Sequence, residues 1–312
     1  MSHRYLAILV ALGSVWGASF LFIKVVVDET APAEVAAGRV FFGAVALAPF
    51  VWRRGLRLSG RRWLLRDLLL LGAVSTAIPF VLISWAELHI DSGIASVLNS
   101  TMPLWTAVFA GIFLVEERLT PMMVAGLLLG FVGVAVLSGG DITSLRQAGL
   151  LGHLAVVSAA AFYGAGAVFA RARLQAEDRV TLSAMQLMMA FLVLAPFSLA
   201  VDGIPRLNLP AKVWLAWLIL GVVNTGLSNV VYYWLIRRVG SVRSSLVTYI
   251  IPIVGLLLGA TVLGEKLGLN ALLGAAFIVV AVAMVAGSFR VAVPASTLRQ
   301  GAERHPEAAA GK

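Results

Sequence analysis

Polar side chains that could bind a solute are concentrated in two apolar stretches of the chain. The first stretch contributes Ser96, Asn99, Ser100, Thr101 and Pro103, and the second contributes Ser244, Ser245, Thr248, Tyr249 and Pro252. Because proline removes a backbone donor and frees a carbonyl one turn earlier, kinks at Pro103 and Pro252 could expose backbone groups to a ligand. Alternatively, the Ser and Thr hydroxyls bond within their own helix, and proline only bends it. Asn99 and Tyr249 carry larger polar groups, which favours positions that line a cavity.

Other polar residues interrupt further apolar stretches. A buried Arg39 needs an acidic partner, and either Glu34, about one helical turn before it, or a substrate carboxylate could serve. Gln186 occupies the matching position in the second half of the chain. Asn229 and Tyr233 are four residues apart and share a helix face, so they could line one wall of a cavity. Alternatively, Asn229 bonds a neighbouring helix and the tyrosine anchors at the membrane interface.

Trp16, Tyr163 and Trp85 are candidate residues for stacking on a substrate or for gating a cavity. Trp16 and Tyr163 each stand directly before a glycine, Gly17 and Gly164 respectively. Tight packing of helices beside these glycines explains the two aromatic residues nearly as well. The sequence therefore leaves the functional and the structural interpretation open.

The middle of each apolar stretch lacks acidic residues, and the sequence lacks common catalytic motifs. All 15 Asp and Glu lie in predicted connections, in the C-terminal tail or near the ends of apolar stretches. A deep acid is the usual proton relay or counter-ion for a cation, so this distribution favours neutral, zwitterionic or anionic solutes. The chain has no Cys, no His-Glu-x-x-His and no Gly-x-Ser-x-Gly. We therefore predict no enzyme activity, no metal site and no cofactor, and we expect Glu116 and Glu265 to end helices.

Membrane-spanning helices must position these side chains. Of the 312 residues, 60% are hydrophobic and only 12% are charged, far outside the norm for soluble proteins. Apolar runs of about 20 residues, long enough to cross the hydrocarbon core as helices, are bounded by charged or turn residues. The predicted fold is an all-α integral membrane protein with ten spans, at 5–27, 34–52, 68–88, 92–114, 120–138, 150–170, 180–201, 213–236, 242–263 and 268–289.

The distribution of Lys and Arg predicts the orientation in the membrane. With a cytoplasmic N-terminus, 18 of the 24 basic residues lie on the cytoplasmic side and four on the opposite side. We therefore expect both termini in the cytoplasm, a location in the cell (inner) membrane, and a disordered tail over 291–312. This distribution also explains the net charge of +9, so we expect no nucleic acid partner. Anionic membrane lipids could bind the connection that contains six Arg.

The chain aligns with itself in two blocks, one at an offset of 147 residues and one at an offset of 149. The paired residues include Trp16 with Tyr163, Arg39 with Gln186, Trp85 with Trp234, Pro103 with Pro252 and Glu116 with Glu265. Each copy holds five predicted spans, and an odd number places the second copy in the opposite orientation. We predict two inverted five-helix repeats, 1–140 and 141–290, an arrangement associated with alternating access to a small-molecule substrate. A duplicated scaffold without transport is the alternative.

The segment from Trp85 to Leu137 resembles the EamA-type proteins of the drug/metabolite transporter superfamily. The similar features are Ser-Gly-x-Ala-Ser from Ser92, the proline that follows, Glu-Glu-Arg-Leu and a Gly-rich fifth span, and Trp234 to Ala286 looks like a second copy. The resemblance implies ten spans, a central cavity and export or uptake of metabolites such as amino acids. From it we predict a secondary transporter that works as an exporter.

The residues after Trp85 differ from the family pattern. Glu87 and His89 depart from it, since less polar residues are expected after Trp85. An integral-membrane enzyme and a lipid-binding scaffold are the alternative functions.

Overall fold

The structure is a computed structural model that describes residues 3–54, 62–113, 120–137, 148–174, 178–239, 247 and 250–288. Within these residues every regular element is a helix, and no strand is present. The fold is therefore all-α, as predicted.

The helices follow the apolar runs of the sequence. In chain order they are α1 (His3–Val27), α2 (Pro32–Arg54), α3 (Arg62–Gly72), the π-helix π1 (Ala73–Ala77), α4 (Ile78–Ala86), α5 (Ser92–Asn99), α6 (Met102–Phe113), α7 (Pro121–Leu137), α8 (Ala148–Arg173), α9 (Arg179–Val201), α10 (Ala211–Leu218), the π-helix π2 (Ile219–Leu227), α11 (Ser228–Val239), α12 (Ile250–Val262) and α13 (Leu269–Ser288). The elements from α3 to α4, and those from α10 to α11, are each one continuous helical rod.

Seven helices or rods in the described residues are long and apolar enough to cross a membrane. They are Ala7–Val27, Pro32–Arg53, Trp63–Ala86, Ser92–Phe113, Gly149–Arg173, Val180–Val201 and Ala211–Tyr232. Three shorter apolar helices accompany them: Pro121–Val136, Ile250–Val262 and Leu269–Met284. Large apolar side chains such as Leu128 and Ile253 are about three-fifths exposed, which suits helices surrounded by lipid. The chain is a multi-pass membrane protein.

The third span begins earlier than the sequence predicts. We expected it to start at residue 68, whereas α3 starts at Arg62 and takes in Arg66 and Asp67. Asp67 is only 3% exposed, and one of its carboxylate oxygens accepts a hydrogen bond of 2.9 Å from Nε of Arg173 on α8. Because Arg173 neutralises it, Asp67 can lie inside α3, although the charge pattern predicted that the span begins after this residue. The next connection, 87–91, is also longer than the three residues that we expected.

The fourth span is broken where a kink is predicted. Helix α5 ends at Asn99 and α6 begins at Met102, so Pro103 is the second residue of a new helix, where its missing N–H costs little. In the break, the Ser100 and Thr101 N–H groups donate to carbonyls three residues earlier, at 3.1 Å each. Pro252 is the third residue of α12, and the two residues before that helix lie outside the described range.

Glycines set the closest approaches between helices. A Cβ on Gly17 would lie 2.7 Å from Cβ of Val254 on α12, and one on Gly164 would lie 2.8 Å from the backbone N of Thr106 on α6. Gly17 and Gly164 are 147 residues apart, the offset of the first sequence block. Each glycine packs against a helix from the other half of the chain.

Candidate functional site

Arg39 is buried in the interior, at 7% exposure, between the two halves of the chain. Its Nε donates a hydrogen bond of 2.7 Å to the hydroxyl of Thr225 on π2. Its guanidinium carbon lies 3.8 Å from the ring centroid of Phe80, and the ring of Tyr163 is 6.4 Å from that of Phe80. The structure thus brings together Arg39 and Tyr163, two predicted site residues, around an aromatic ring that sequence reasoning missed. Glu34 is not the partner that Arg39 uses.

Gln186 makes the matching contact in the other half of the chain. It is 5% exposed, and its Nε2 donates a hydrogen bond of 2.8 Å to the hydroxyl of Thr76 on π1. Thr76 and Thr225 are 149 residues apart, the offset of the second sequence block. Both π-helices therefore present a buried threonine to a polar residue of the opposite half. π-Helical segments inside α-helices are frequent at functional sites.

Trp16 lies in a second polar cluster, next to π2. Its indole N–H donates to the hydroxyl of Ser228 at 2.9 Å, and its ring centroid is 4.9 Å from that of Tyr232. The amide of Asn224 donates to the backbone carbonyl of Val15, while its Oδ1 is buried without a hydrogen-bond partner. Sequence reasoning placed Asn224 in the eighth span but gave it no role. Trp16 thus has both a hydrogen-bond partner and an aromatic neighbour.

The hydroxyl groups of the fourth span bond within their own helix. Ser96 donates to the carbonyl of Gly93 at 2.7 Å, Ser100 to that of Val97 and Thr101 to that of Leu98. Asn99 is different, because its Oδ1 is buried and accepts no hydrogen bond from the residues that the structure describes. It lies at the last residue of α5, directly before the break in the span.

The remaining predicted site residues are placed as follows. Trp85 lies on α4, with its ring centroid 4.4 Å from that of His89, and Asn229 is partly buried on α11. Tyr249 and Ser245 lie outside the described residues, as does the side chain of Tyr233. Assignment of all these residues to a substrate site stays a prediction.

Glu87 is the polar residue whose environment the sequence least reveals. It follows α4 directly, yet it is 0% exposed, and neither of its carboxylate oxygens has a hydrogen-bond partner among the described residues. Lys24 on α1 donates to the backbone carbonyl of Glu87 at 2.8 Å and forms a salt bridge of 3.1 Å with Asp28. Lys24 therefore connects the end of α1 to the end of α4. The only sequence signal was the departure from the family pattern at Glu87.

Burial raises the pKa of the Glu87 carboxyl well above its ordinary value. The positive charge of Lys24 opposes this shift, and the negative charge of Glu265 adds to it. Burial also raises the pKa of Asp91, at the other end of the same turn. Acids near span ends can thus be buried, and our argument from their positions in the sequence did not account for this.

Glu265 caps a helix that is distant from it in the sequence. Its two carboxylate oxygens accept the backbone N–H groups of Ser92 and Gly93, at 2.7 and 2.9 Å, in the first turn of α5. Gly264, with a φ of 71°, lets the chain turn after α12 and direct Glu265 to this position. Gly259 leaves the space that the carboxylate occupies. Glu265 lies at the end of α12, as expected, where its N–H donates to the carbonyl of Gly259, and its carboxylate also stabilises the start of another helix. Glu116 lies outside the described residues.

Two apolar cavities lie away from these clusters. One, of about 280 Å³, is lined by Ala44, Ala48, Val51, Trp52, Ala184, Met185 and Met188. The other, of about 390 Å³, is lined by Pro252, Ile253, Leu256, Leu272, Ala275, Ala276, Val279 and Val280. They run between α2 and α9 and between α12 and α13, and neither is lined by a predicted substrate-binding residue.

The sequence model of the EamA-like transporter family matches this chain twice, over residues 4–139 and 150–287. These matches cover most of the chain, so the protein belongs to the EamA-like transporter family. The buried polar residues between the helices therefore lie within a transporter fold.

Comparisons with individual proteins agree with the family. The chain is similar to the uncharacterized transporter YoaV of Bacillus subtilis strain 168, with 25% identity over 86% of this chain and 92% of that one. It is 27% identical, over 92% of this chain and 95% of the other, to a probable amino-acid metabolite efflux pump of Salmonella typhimurium strain LT2. One solved crystal structure has a similar fold over 91% of this chain and 98% of the chain in that structure, with a TM-score of 0.65 and 20% sequence identity. That last likeness shows the fold alone.

Proposed function

We propose that this protein is a secondary transporter that exports small metabolites, of the amino-acid class or similar neutral, zwitterionic or anionic solutes, across the cell (inner) membrane by alternating access. The observation that carries the proposal is the double match to the EamA-like transporter family, once in each half of the chain. Inverted repeats of this kind are associated with alternating access, because two similar halves can exchange conformations.

The proposed architecture has ten spans in two inverted five-helix repeats, 1–140 and 141–290, followed by a cytoplasmic tail, with both termini in the cytoplasm. Two hydrogen bonds that the repeat offsets of 147 and 149 relate to each other support this architecture. Arg39 bonds Thr225 as Gln186 bonds Thr76, and each of these bonds crosses between the halves. The excess of Lys and Arg in alternate connections supports the orientation.

The proposed substrate site lies between the broken fourth span and the ninth span. Asn99 has an amide oxygen that is buried and unpaired in the described structure, so it can accept a hydrogen bond from a solute. Arg39 and Tyr163, which lie around Phe80, supply a cation and a hydroxyl in the interior. A buried cation next to neutral polar groups suits a solute that carries a carboxylate.

The direction and class of solute rest on similarity. The relative from Salmonella typhimurium is named a probable amino-acid metabolite efflux pump. We extend that activity to this chain as a proposal.

The test is uptake by purified protein in liposomes, with radiolabelled neutral, aromatic and acidic amino acids and with or without an imposed proton gradient. We expect saturable flux that is absent from empty liposomes. Asn99→Ala should raise KM for the transported solute, because it removes a side chain from the proposed site, and Tyr249→Phe should do the same.

Ser100→Ala is a matched control, because the Ser100 hydroxyl already bonds Val97 within the chain. Its kinetics should stay close to those of the parent. If Asn99→Ala and Tyr249→Phe both leave KM and the maximal rate unchanged, the site assignment is wrong. If no solute in this panel or in a wider metabolite panel crosses the membrane, the transport proposal fails and a scaffold role gains support.

A further inference from the structure

The carboxyl of Glu87 is a buried acid that the proposed transport site does not use. It is 0% exposed, and within the part of the chain that the structure describes neither of its oxygens has a hydrogen-bond partner. An ionised carboxylate in such a place costs several kcal/mol unless donors or a cation compensate it. In this conformation the group is therefore a neutral acid that holds a proton.

The two cations near Glu87 do not neutralise it, because other partners engage them. Nζ of Lys24 bonds the backbone carbonyl of Glu87 at 2.8 Å and pairs with Asp28 at 3.1 Å. Arg39 bonds Thr225 and lies over the ring of Phe80. The nearest positive charges thus serve to join helices.

Three of the other titratable groups around this turn are acidic and two are cations. These groups are Lys24 and Asp28 from the end of α1, Arg39 from α2, Asp91 from the turn itself and Glu265 from the connection after α12, and His89 also lies on the turn. Asp28 and Glu265 repel an ionised Glu87, whereas Lys24 and Arg39 attract it. Loss of its proton would therefore change the balance of charge at this end of the molecule.

Two contacts hold the turn 87–91 closed. Lys24 on α1 bonds the Glu87 carbonyl at the start of the turn, and Glu265, which follows α12, accepts the N–H groups of Ser92 and Gly93 directly after the turn. An ionised Glu87 side chain would compete with its own carbonyl for Lys24 and would repel Glu265. Deprotonation therefore weakens both contacts at once.

We propose that Glu87 is a proton-binding site that controls the opening of this end of the protein. The carboxyl holds a proton while the turn is closed, opening brings it to water, and the proton then leaves to that water. Closing requires that a proton be taken up again, and no other covalent bond is made or broken. The inference deepens the proposed function, since it names the proton as the ion that regulates the same alternating access.

Linkage gives the size of the effect. The pKa of Glu87 is raised in the closed state, and in an open, hydrated state it should lie near the ordinary value for Glu, about 4.3. Between these two pKa values, the opening constant should rise about tenfold for each pH unit.

The experiment measures opening by thiol labelling and needs no solute. The chain has no Cys, so a single introduced Cys is the only thiol. Ser92 is 1% exposed and its hydroxyl has no hydrogen-bond partner, so Ser92→Cys loses no bond and reports on the turn itself. Protein in lipid nanodiscs is treated with a maleimide from pH 5.5 to 8.5. Each rate is divided by that of Glu29→Cys, an exposed position at the same end, which removes the effect of pH on the thiol.

We expect the normalised rate of Ser92→Cys to rise with pH, by about tenfold per unit over part of the range. In the Glu87→Gln background the rate should not depend on pH. In the Asp91→Asn background, which removes the adjacent acid of the turn, the dependence should persist. A flat profile for Ser92→Cys alone overturns the proposal, even if Glu87→Gln cannot be purified in a folded form. A dependence that survives Glu87→Gln, or that Asp91→Asn abolishes, also overturns it.

Failure of this inference and failure of the proposed function can be told apart. A flat labelling profile in a protein that transports amino acids leaves transport intact and removes the role of Glu87. A pH-dependent profile in a protein that moves no solute keeps the proton site and removes the transport proposal.

Discussion

Replacing Glu265 with alanine should free the first turn of α5. The substitution removes both oxygens that accept the N–H groups of Ser92 and Gly93, at 2.7 and 2.9 Å. These donors are buried, so water does not replace the carboxylate while the turn stays closed. Glu265→Gln keeps one acceptor oxygen but loses the charge, and should have an intermediate effect.

The magnitude follows from the two bonds that are lost. A hydrogen bond to a charged group contributes about 1.5–3 kcal/mol, and loss of a helix N-cap costs about 0.5–2 kcal/mol. The two bonds share one carboxylate and are not fully additive, so we expect a local cost of about 2–4 kcal/mol. This corresponds to a rise of roughly 30- to 700-fold in the opening constant of the turn.

Hydrogen exchange of the amides at the start of α5 measures this opening directly. Peptides that cover residues 90–98 should lose protection in Glu265→Ala, and those from α9 should not change. Lys266→Ala is the matched control, since Lys266 is the exposed neighbour of Glu265. If the Ser92 and Gly93 amides in Glu265→Ala exchange within about threefold of the parent rate, a difference below 1 kcal/mol, the carboxylate does not hold this turn.

Three further outcomes are expected in measurements of thermal unfolding. Thr225→Val should destabilise the protein by about 1.5–3 kcal/mol and Thr76→Val by about 0.5–1.5 kcal/mol, because only the first substitution removes a hydrogen bond to a charged group; equal costs would contradict this. Gly17→Ala should cost about 1–3 kcal/mol, since its Cβ would lie 2.7 Å from Val254, whereas Gly149→Ala, with nothing within 4 Å, should be neutral or stabilising. The folded protein binds the Glu87 proton more tightly than the unfolded chain. This contribution is complete below the unfolded pKa, about 4.3, and is lost as pH rises through the raised folded value. As the pH rises through that window, the unfolding temperature should fall less steeply in Glu87→Gln than in the parent; identical slopes would contradict a raised pKa of Glu87 in the folded protein.

The sequence predicted the helices well because their signal is local. Apolar length and flanking charges place most helix ends to within a few residues, and Gly17 and Gly164, beside Trp16 and Tyr163, indicate close contacts between helices. Arg39 and Gln186 were also identified as a pair from the repeat. Their actual partners, Thr225 and Thr76, are themselves related by the second offset, so the same alignment contained a signal that we did not use.

Burial near the ends of spans could not be predicted in this way. Asp67 and Glu87 both stand where a charge normally marks the boundary with water, yet they are 3% and 0% exposed. Their environment depends on residues that are distant in the sequence, such as Arg173 for Asp67 and Lys24 for Glu87. Nothing in one sequence shows which neighbouring helix covers a given end. The same holds for Glu265, whose partner is the start of another helix.

The bond between Arg39 and Thr225 also constrains the synthesis of the protein. These residues are 186 positions apart, and ribosomes add about 5–20 residues each second. Arg39 therefore enters the membrane roughly 10–40 s before its partner has been made. During that time its guanidinium must be solvated by water, lipid phosphate or the insertion machinery. Helix α2 can make this bond only after π2 has been inserted, so the first half of the chain must remain adjustable until most of the chain has been made.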